Sequence, residues 1–560
     1  MSAGSFDYQR YLALASTTLD HGTLLAAAEN QHYDGPFSNP DDARKQNLVL
    51  RYSRGDQHDG WTLTGMYYHQ LWTNTTDIPL RAIATGLVVD RFGTLDPSDG
   101  GRAQRASASA QYFRALGGGQ LSMSGYFIDN QLHMYSDFTH FLVDPVHGDQ
   151  EEQFENRHTV GGSSDFSLPW HCAGLDCELS VGAVTRYDAL AVGRLPTQAR
   201  APLPPADDPA SFSDLDQVNL FAAAGYLQAS IRWSSRLRSL LGIRDDFQRG
   251  SDADELQALH QAAGYSNAGR PAQSLLQPKA SLIYRASEQL EFYLDAGRGF
   301  HSADIRGVDQ DRSVGLGLPG TPLLARQEGQ EIGLRAQPRA DLAFTLALYN
   351  LWQQSETIID PDIGQDVAGP PSRRYGAELN VTWQLRRNLE LYGSFSANHT
   401  RFTRDFDDGT GHLGRYITDA PVASGSVALY LSDAGPWSGG LSFRYLGHYA
   451  LSSGPCVNAA AIHDFPGVAG CVNAPTLPGQ VDGRGFGELN LDAHYALHSG
   501  WTASLGLYNL LNTHAPAAQF WYVDRLRSEI DSFPSGRADI HQHPLEPLMA
   551  RLSISRRFGS

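Results

Sequence analysis

Long hydrophobic runs are missing from this sequence. No run of about 18 or more apolar residues occurs, and the mean hydropathy is −0.34. Transmembrane helices are therefore excluded. A transmembrane β-barrel is still permitted, because only every second residue of its strands faces lipid.

Lysine is nearly absent, since Lys45 and Lys279 are its two occurrences. Lys and Arg total 43 against 61 Asp and Glu, which gives a formal net charge of −18. A nucleic-acid partner is excluded, because binding one requires a basic surface that neutralises phosphates. The arginine bias suits bidentate contacts with carboxylate or phosphate, although a GC-rich genome explains it more simply.

Cysteine is scarce as well. Its four occurrences form two local pairs, Cys172 with Cys177 and Cys456 with Cys471. Neither pair has the spacing of a zinc site. We interpret them as two loop disulfides formed in an oxidising compartment, with four ordinary thiols as the alternative.

An export signal is also missing. Residues 1–8 contain neither the basic segment nor the apolar segment of a signal peptide. An exported protein must have such a signal, so either this protein is not exported or the chain lacks its true beginning.

What the sequence does contain is alternation of apolar and polar residues. In segment 375–383 every odd position is apolar, and the even positions are Gly, Glu, Asn and Thr. Segment 389–397 follows a similar pattern after a tight turn at Arg386, Arg387 and Asn388. A period of two predicts strands with one apolar and one polar face.

About 21 such segments occur, most of roughly 9–12 residues, which is the length that crosses a bilayer at a tilt. Short turns such as 386–387 alternate with long loops such as 400–419, as in outer-membrane barrels. The sequence thus predicts an all-β fold over residues 1–560, a large antiparallel transmembrane β-barrel. Bacterial barrels have even strand numbers, so we expect 22 strands with one missing before segment 6–17. Met1 would then lie at the outer rim, and a seam would face the last strand.

The final segment alternates up to Phe558. A terminal strand that ends on an aromatic residue resembles the signal read by the barrel-assembly machinery, although Gly559 and Ser560 still follow here. We predict that Phe558 is this assembly signal.

Several segments in order along the chain resemble the barrel of TonB-dependent outer-membrane receptors. They are Gly4-Ser-Phe-Asp-Tyr-Gln-Arg10, Tyr33-Asp-Gly-Pro36, Leu241-Gly-Ile-Arg-Asp245, Gln277-Pro-Lys-Ala-Ser281 with Gly297-Arg-Gly-Phe300, Arg373-Arg-Tyr-Gly-Ala-Glu378, Tyr508-Asn-Leu-Leu-Asn512 and the Phe558 terminus.

The resemblance implies a wide barrel that an N-terminal plug normally fills, and energised uptake of a ferric siderophore or a similarly bulky nutrient. TonB engages such receptors through a box on the plug. We expect the plug, the TonB box and the signal peptide to be missing here. The alternatives are a plugless passive pore and a non-functional truncated receptor. Other expected partners are the lipid bilayer and lipopolysaccharide, with the chain as a monomer.

One segment offers candidate metal ligands. Asp539, His541, His543 and Glu546 lie in the final long loop, and His-x-His on an extended segment directs both rings to one side. Imidazole and carboxylate suit a transition metal. Polar side chains of a solvated loop are the simpler interpretation.

Charged residues near the predicted strand ends are candidates for ligand binding. Arg244, Arg335, Arg374 and Arg444 lie on or beside strands and would suit an anionic chelate, or would pair with plug carboxylates. Acidic clusters such as Asp207, Asp208, Asp214 and Asp216 would bind calcium or remain solvated loop charge, and solvated charge is the simpler interpretation. No nucleophile elbow, phosphate loop or zinc-peptidase helix occurs, so we predict no enzyme and no cofactor.

Overall fold

The computed structural model describes residues 1–73, 76–204, 207–208, 213–263, 266–314, 321–360, 365–407, 413–454 and 481–558. Antiparallel strands dominate it, and 22 of them form the barrel wall. No helix in these ranges is long and apolar enough to cross a membrane.

The barrel strands follow one another in chain order. They are β1 Ser2–Gly4, β2 Tyr8–Leu19, β3 Gly22–Tyr33, β4 Ala43–Gly55, β5 Asp59–Thr73, β6 Gly100–Leu116, β7 Gly119–Ser136, β8 Glu151–Cys172, β9 Leu175–Gln198, β10 Asp214–Arg232, β11 Leu237–Asp254, β12 Ala272–Ser287, β13 Leu290–Ser302, β14 Leu324–Arg339, β15 Leu342–Gln353, β16 Ser372–Arg386, β17 Leu389–Asp407, β18 Ala423–Ala434, β19 Trp437–Leu446, β20 Phe486–Ala496, β21 Trp501–Tyr508 and β22 Met549–Arg556.

The wall closes through β1. This strand pairs with β22 at Ser2↔Ser553 and with β2 at Gly4↔Tyr8, so the count is 22 and not 21. Met1 does not lie at the outer rim as predicted, because its amino group donates to the carbonyl of Ile554 at 2.9 Å. The predicted seam is present only along part of β2. Among the described residues, the part of β2 that follows Arg10 pairs with β3 on one side and with no strand on the other.

The wall has an apolar outward face and a polar inward face. On β11, Leu241, Ile243 and Phe247 point outward and are exposed, whereas Arg244 and Asp246 point inward and bond to each other. Successive side chains on a strand alternate between faces, so the period-two sequence pattern translates directly into this wall.

Short turns connect the strands at one rim. Ala173 and Gly174 make the turn between β8 and β9 with positive φ angles of 51° and 81°. Across this turn Cys172 and Cys177 form a disulfide. The second predicted disulfide cannot be placed, because Cys456 and Cys471 lie outside the described residues.

Long loops connect the strands at the other rim and carry the remaining elements. Their helices are α1 Leu80–Ala84, α2 Gln257–Ala263 and α3 Ile305–Val314, and a 3-10 turn lies at Arg527–Glu529. A further 3-10 turn, His498–Gly500, lies in a short connection at the opposite rim. Their short strands are Ile78–Pro79, Ala201–Pro202, Thr357–Asp360, Gln365–Ala368, Leu413–Tyr416, Tyr449–Ala450, Asp482–Gly483, Pro516–Asp524 and Arg537–Pro544.

Some wall strands are much longer than a bilayer crossing requires. β9 has 24 residues and β10 has 19, whereas about 9–11 residues suffice to cross a bilayer. The wall therefore continues beyond the predicted membrane zone toward the loops, and side chains at these strand ends belong to the outer part of the molecule.

Candidate functional site

The predicted ligand-facing arginines lie on the inward face, and each has a carboxylate partner. Arg244 binds Asp246 through two hydrogen bonds of 2.7 and 2.8 Å. Arg335 donates to Glu291 on the neighbouring strand at 2.8 Å. Arg335 is four residues from the end of β14 at the short-turn rim, far along the wall from the long loops.

The other two arginines lie closer to the long loops. Arg374 pairs with Glu356, which also accepts a hydrogen bond from the Ser372 hydroxyl. Arg444 pairs with Glu488 across β19 and β20, and its side chain is 57% exposed. The wall therefore neutralises its own arginines, and Arg444 retains the most exposed guanidinium of the four.

Several loops fold together into a structure that we call the outer cap, comprising residues 76–99, 137–150, 449–454, 481–485 and 509–548. At its centre the strands Pro516–Asp524 and Arg537–Pro544 form a hairpin, which Ile78–Pro79 extends as a third strand. Its apolar core buries the side chains of Ile78, Ala82, Val88, Leu142, Tyr449, Leu451, Val481, Trp521, Val523, Leu526 and Ala538. These loops are thus packed structure and not solvated connections.

A buried charge network lies inside the cap. Asp524 is fully buried and accepts a 2.6 Å hydrogen bond from Arg81, which also binds Glu529 at 2.9 Å. The Nε2 atom of His541 lies 3.2 Å from Asp524, and Nε2 of His140 lies 3.7 Å from it. One carboxylate therefore faces three basic side chains that come from three different loops.

The four predicted metal ligands are distributed among separate contacts. Asp539 accepts the backbone N–H of Arg81 at 2.9 Å, and His541 faces Asp524. His543 packs beside the Phe37 ring, and Glu546 accepts from the Tyr33 hydroxyl at 2.5 Å. The structure supplies each of them with a different partner, and the four are not brought together around one point.

Among the described residues, one group of His and Asp has ligand atoms close enough for a metal ion, namely Asp7, His32 and Asp34. His32 lies 3.2 Å from each of the two carboxylates. The group is partly exposed, and the contacts of His32 with the two aspartates account for it.

Comparisons with known proteins identify the family of the barrel. The family described as TonB dependent receptor-like, beta-barrel has a sequence model that matches residues 2–510. The chain belongs to this family. No curated protein matches the sequence.

Solved structures give the same fold. The ferric-catecholate import receptor Fiu of E. coli K12, in its closed form, superposes with a TM-score of 0.75 at 13% identity, over 100% of this chain and 81% of that one. The siderophore receptor PiuA of Acinetobacter baumannii gives 0.74 at 11%, over 100% and 80%. The ferric yersiniabactin uptake receptor FyuA of Yersinia pestis gives 0.70 at 11%, over 100% and 79%.

The cap of this TonB-dependent receptor barrel contains a histidine with a strongly altered pKa. Burial alone lowers the pKa of His140, but Asp137 and Asp524 outweigh burial and raise it to about 9. Burial likewise opposes ionisation of Asp524, yet His541, His140 and Arg81 lower its pKa to about 2. Asp137 is the larger of the two influences on the pKa of His140, and Asp524 adds to it.

We expect the cap to be most stable between about pH 4 and 6.5. The pKa of His140 is raised to about 9 in the folded protein, so its contribution is complete below its unfolded pKa and is lost as pH rises through 9. The contribution of Asp524, with a pKa of about 2, is lost only as pH falls toward that value. Hydrogen exchange of the 516–524 strand, corrected for intrinsic rates, will measure the stability of the cap as a function of pH.

The matched control is His140→Gln, which removes the titrating group. The loss of protection between about pH 6.5 and 9 is expected to disappear in this variant. The same loss in both proteins would show that another group is responsible.

Sequence reasoning missed this network for a clear reason. Arg81 and Asp524 are 443 positions apart, and neither belongs to a motif. The run Phe520-Trp-Tyr-Val523, rich in aromatic and β-branched residues, was the available sequence signal that this loop contains a strand. Phe558, the predicted assembly signal, lies 77% exposed just beyond β22, with the Arg556 guanidinium 4.6 Å from its ring centre.

Proposed function

We propose that this barrel lies in the outer membrane of a Gram-negative cell and takes up a ferric siderophore or a similarly bulky nutrient, with energy delivered through TonB. Family membership supports transport. The names of the three similar structures support the ligand class, since each is a receptor for a ferric chelate or a siderophore.

The observation that carries the proposal is the closed wall of 22 strands with a polar inward face and a folded outer cap. Barrels of this size enclose a wide lumen that a plug has to fill. This lumen is much wider than a small solute needs. Bulky ligands are what such a wall accommodates. Binding and translocation use the wall and the loops, and the proposal includes no catalytic step and no cofactor.

The partners follow from this placement. TonB would act through a plug and its TonB box, which we expect to be supplied from outside these 560 residues. The barrel-assembly machinery would read Phe558, and the outward apolar face would contact lipid and lipopolysaccharide. We propose that the barrel works as a monomer, because each barrel has its own lumen.

Uptake of radiolabelled ferric siderophores by the native host tests the function. We expect accumulation to fall to background when the gene is deleted, and also when a protonophore collapses the inner-membrane potential. A panel of catecholate, hydroxamate and citrate chelates will identify the ligand class. Uptake that depends on the gene but persists with the protonophore would instead show a passive pore.

Arg444 gives a site-specific version of this test. Its guanidinium is the most exposed of the four predicted arginines, and it lies toward the long loops. Loss of one charge-assisted hydrogen bond costs about 1.5–3 kcal/mol, so Arg444→Ala should weaken binding of an anionic chelate at least about tenfold. Quenching of tryptophan fluorescence on titration with the chelate will measure the affinity.

Arg335→Ala is the control for this variant. Arg335 also pairs with a wall glutamate, but it lies at the short-turn rim. Its replacement should leave chelate affinity unchanged. Equal losses in the two variants would place the binding site elsewhere or implicate barrel stability.

A further inference from the structure

Carboxylates are concentrated at the outer ends of β10 and β11. Asp214 and Asp216 begin β10, and Asp252 and Asp254 end β11. Asp216 is the direct cross-strand neighbour of Asp254, so all four side chains project from the same face of the wall. Each is at most 9% exposed, and the interpretation of Asp214 and Asp216 as solvated loop charge is therefore wrong.

Two of these carboxylates have clear partners. Asp254 accepts a 2.8 Å hydrogen bond from Nδ1 of His260 and a 2.9 Å bond from the backbone N–H of Leu256. Asp214 accepts a 2.8 Å bond from the amide nitrogen of Asn267. Hydrogen bonds of this kind satisfy buried carboxylates without any bound ion.

One nearby cation, Arg306, is shared by several carboxylates. Arg306, in α3, binds Asp304 through contacts of 2.7 and 3.2 Å, while its distance to Asp214 is 3.8 Å. Arg306 is thus shared among several carboxylates, and Asp216 and Asp252 are two of them. Burial of carboxylates with too little compensating charge is energetically unfavourable.

Asp252 and its surroundings have unused oxygen atoms. Within the described residues, both carboxylate oxygens of Asp252 and Oδ1 of Asn267 are buried without a hydrogen-bond partner. Asp252 is only 7% exposed and Asn267 is fully buried. Three buried oxygens without a donor fit the binding of a cation.

The local backbone brings these oxygens together. The amide nitrogen of Asn267 bonds to Asp216 at 3.1 Å, which fixes the amide beside that carboxylate. Two residues further on, Gly269 and Asp252 form an antiparallel bridge, with a 2.9 Å bond from the Asp252 N–H to the Gly269 carbonyl. The loop is therefore fastened to the end of β11 next to Asp252.

We propose that Asp216, Asp252 and Asn267 bind a calcium ion, which fastens the 266–271 loop to the outer ends of β10 and β11. Calcium takes carboxylate and amide oxygens in flexible arrangements of six to eight ligands, some of them waters. A softer metal would prefer imidazole or thiolate, which these three residues do not provide. The site lies beyond the predicted membrane zone, on the side where external calcium is available.

Calorimetric titration of the full chain in detergent, first stripped with EGTA, tests the proposal with calcium chloride as the probe. We expect one saturable site, with a dissociation constant of about 10⁻⁵–10⁻³ M. Asp252→Asn should weaken binding at least about tenfold, because it removes a carboxylate ligand. Heat-modifiable gel migration will confirm that each variant is folded.

Two further variants make the result decisive. Asn267→Asp keeps an oxygen ligand and adds charge, so calcium binding should persist or strengthen. Asp341→Asn changes an exposed aspartate of a short turn, which pairs with Arg339, and should have no effect. Unchanged binding in Asp252→Asn would overturn the proposal. Absence of calcium binding by the unaltered chain would overturn it as well.

Discussion

Asp524→Ala is expected to destabilise the outer cap by about 3–5 kcal/mol, the usual effect of removing one partner from a buried ion pair. Asp524 is fully buried and is the carboxylate shared by Arg81, His541 and His140. Without it the two imidazoles lose their closest ionic partner. Arg81 keeps Glu529, so the loss falls mainly on the contact between the histidine-bearing loops.

Hydrogen exchange of the strands Pro516–Asp524 and Arg537–Pro544 will measure the opening free energy of the cap. The control is Asp531→Ala, which changes an exposed aspartate in the same loop and should alter protection by no more than about 0.5 kcal/mol. The barrel strands should retain their protection in both variants. Equal protection of the cap in the Asp524→Ala and control proteins would contradict the role assigned to this carboxylate.

The barrel could be predicted from the sequence because its information is local. Each strand has its own apolar and polar alternation, as in segment 375–383, and each short turn is marked by nearby residues. The family resemblance rested on the same strands. β1 escaped the count because three residues are too few to show a period, and its pairing with Ser553 joins opposite ends of the chain.

The outer cap could not be predicted in the same way, because its contacts join distant loops. His541 illustrates the difference. The sequence shows a His-x-His segment typical of metal ligands, but the buried partner of His541 is Asp524, on the opposite strand of the hairpin. The loop of His140 meets this hairpin through a bridge to Arg525, 385 positions later by residue number. Nothing local to either segment indicates that contact.

The four arginines show what sequence reasoning can and cannot decide. Their placement on the polar face follows from strand periodicity, and the structure agrees for Arg244 and Arg444. Their partners do not follow, because a partner can lie on the same strand, on the next strand or in a loop. The three cases are, in turn, Asp246 for Arg244, Glu488 for Arg444 and Glu356 for Arg374.

Leu441→Arg is expected to lower the free energy of unfolding by about 2–4 kcal/mol, because it places a charge at mid-membrane depth on the face that contacts lipid. Leu441 is 40% exposed and lies in the middle of the ten-residue strand β19. Its cross-strand neighbours Leu429 and Leu491 are apolar as well. Among the described residues, the positions paired with Leu441 on both sides are leucines, so an arginine there gains no carboxylate from them.

Ser442→Arg is the matched control, because it introduces the same side chain one residue away on the inward face. There the arginine meets a polar lumen that already contains Arg444 and Glu488, so the expected loss is below about 1 kcal/mol. Urea unfolding in lipid vesicles, followed by tryptophan fluorescence, will measure both values. A difference of several kcal/mol between adjacent positions is explained only by a wall with lipid on one side and water on the other. Equal values would mean that the outward face of β19 does not contact lipid, and the membrane placement on which the transport proposal rests would fail with it.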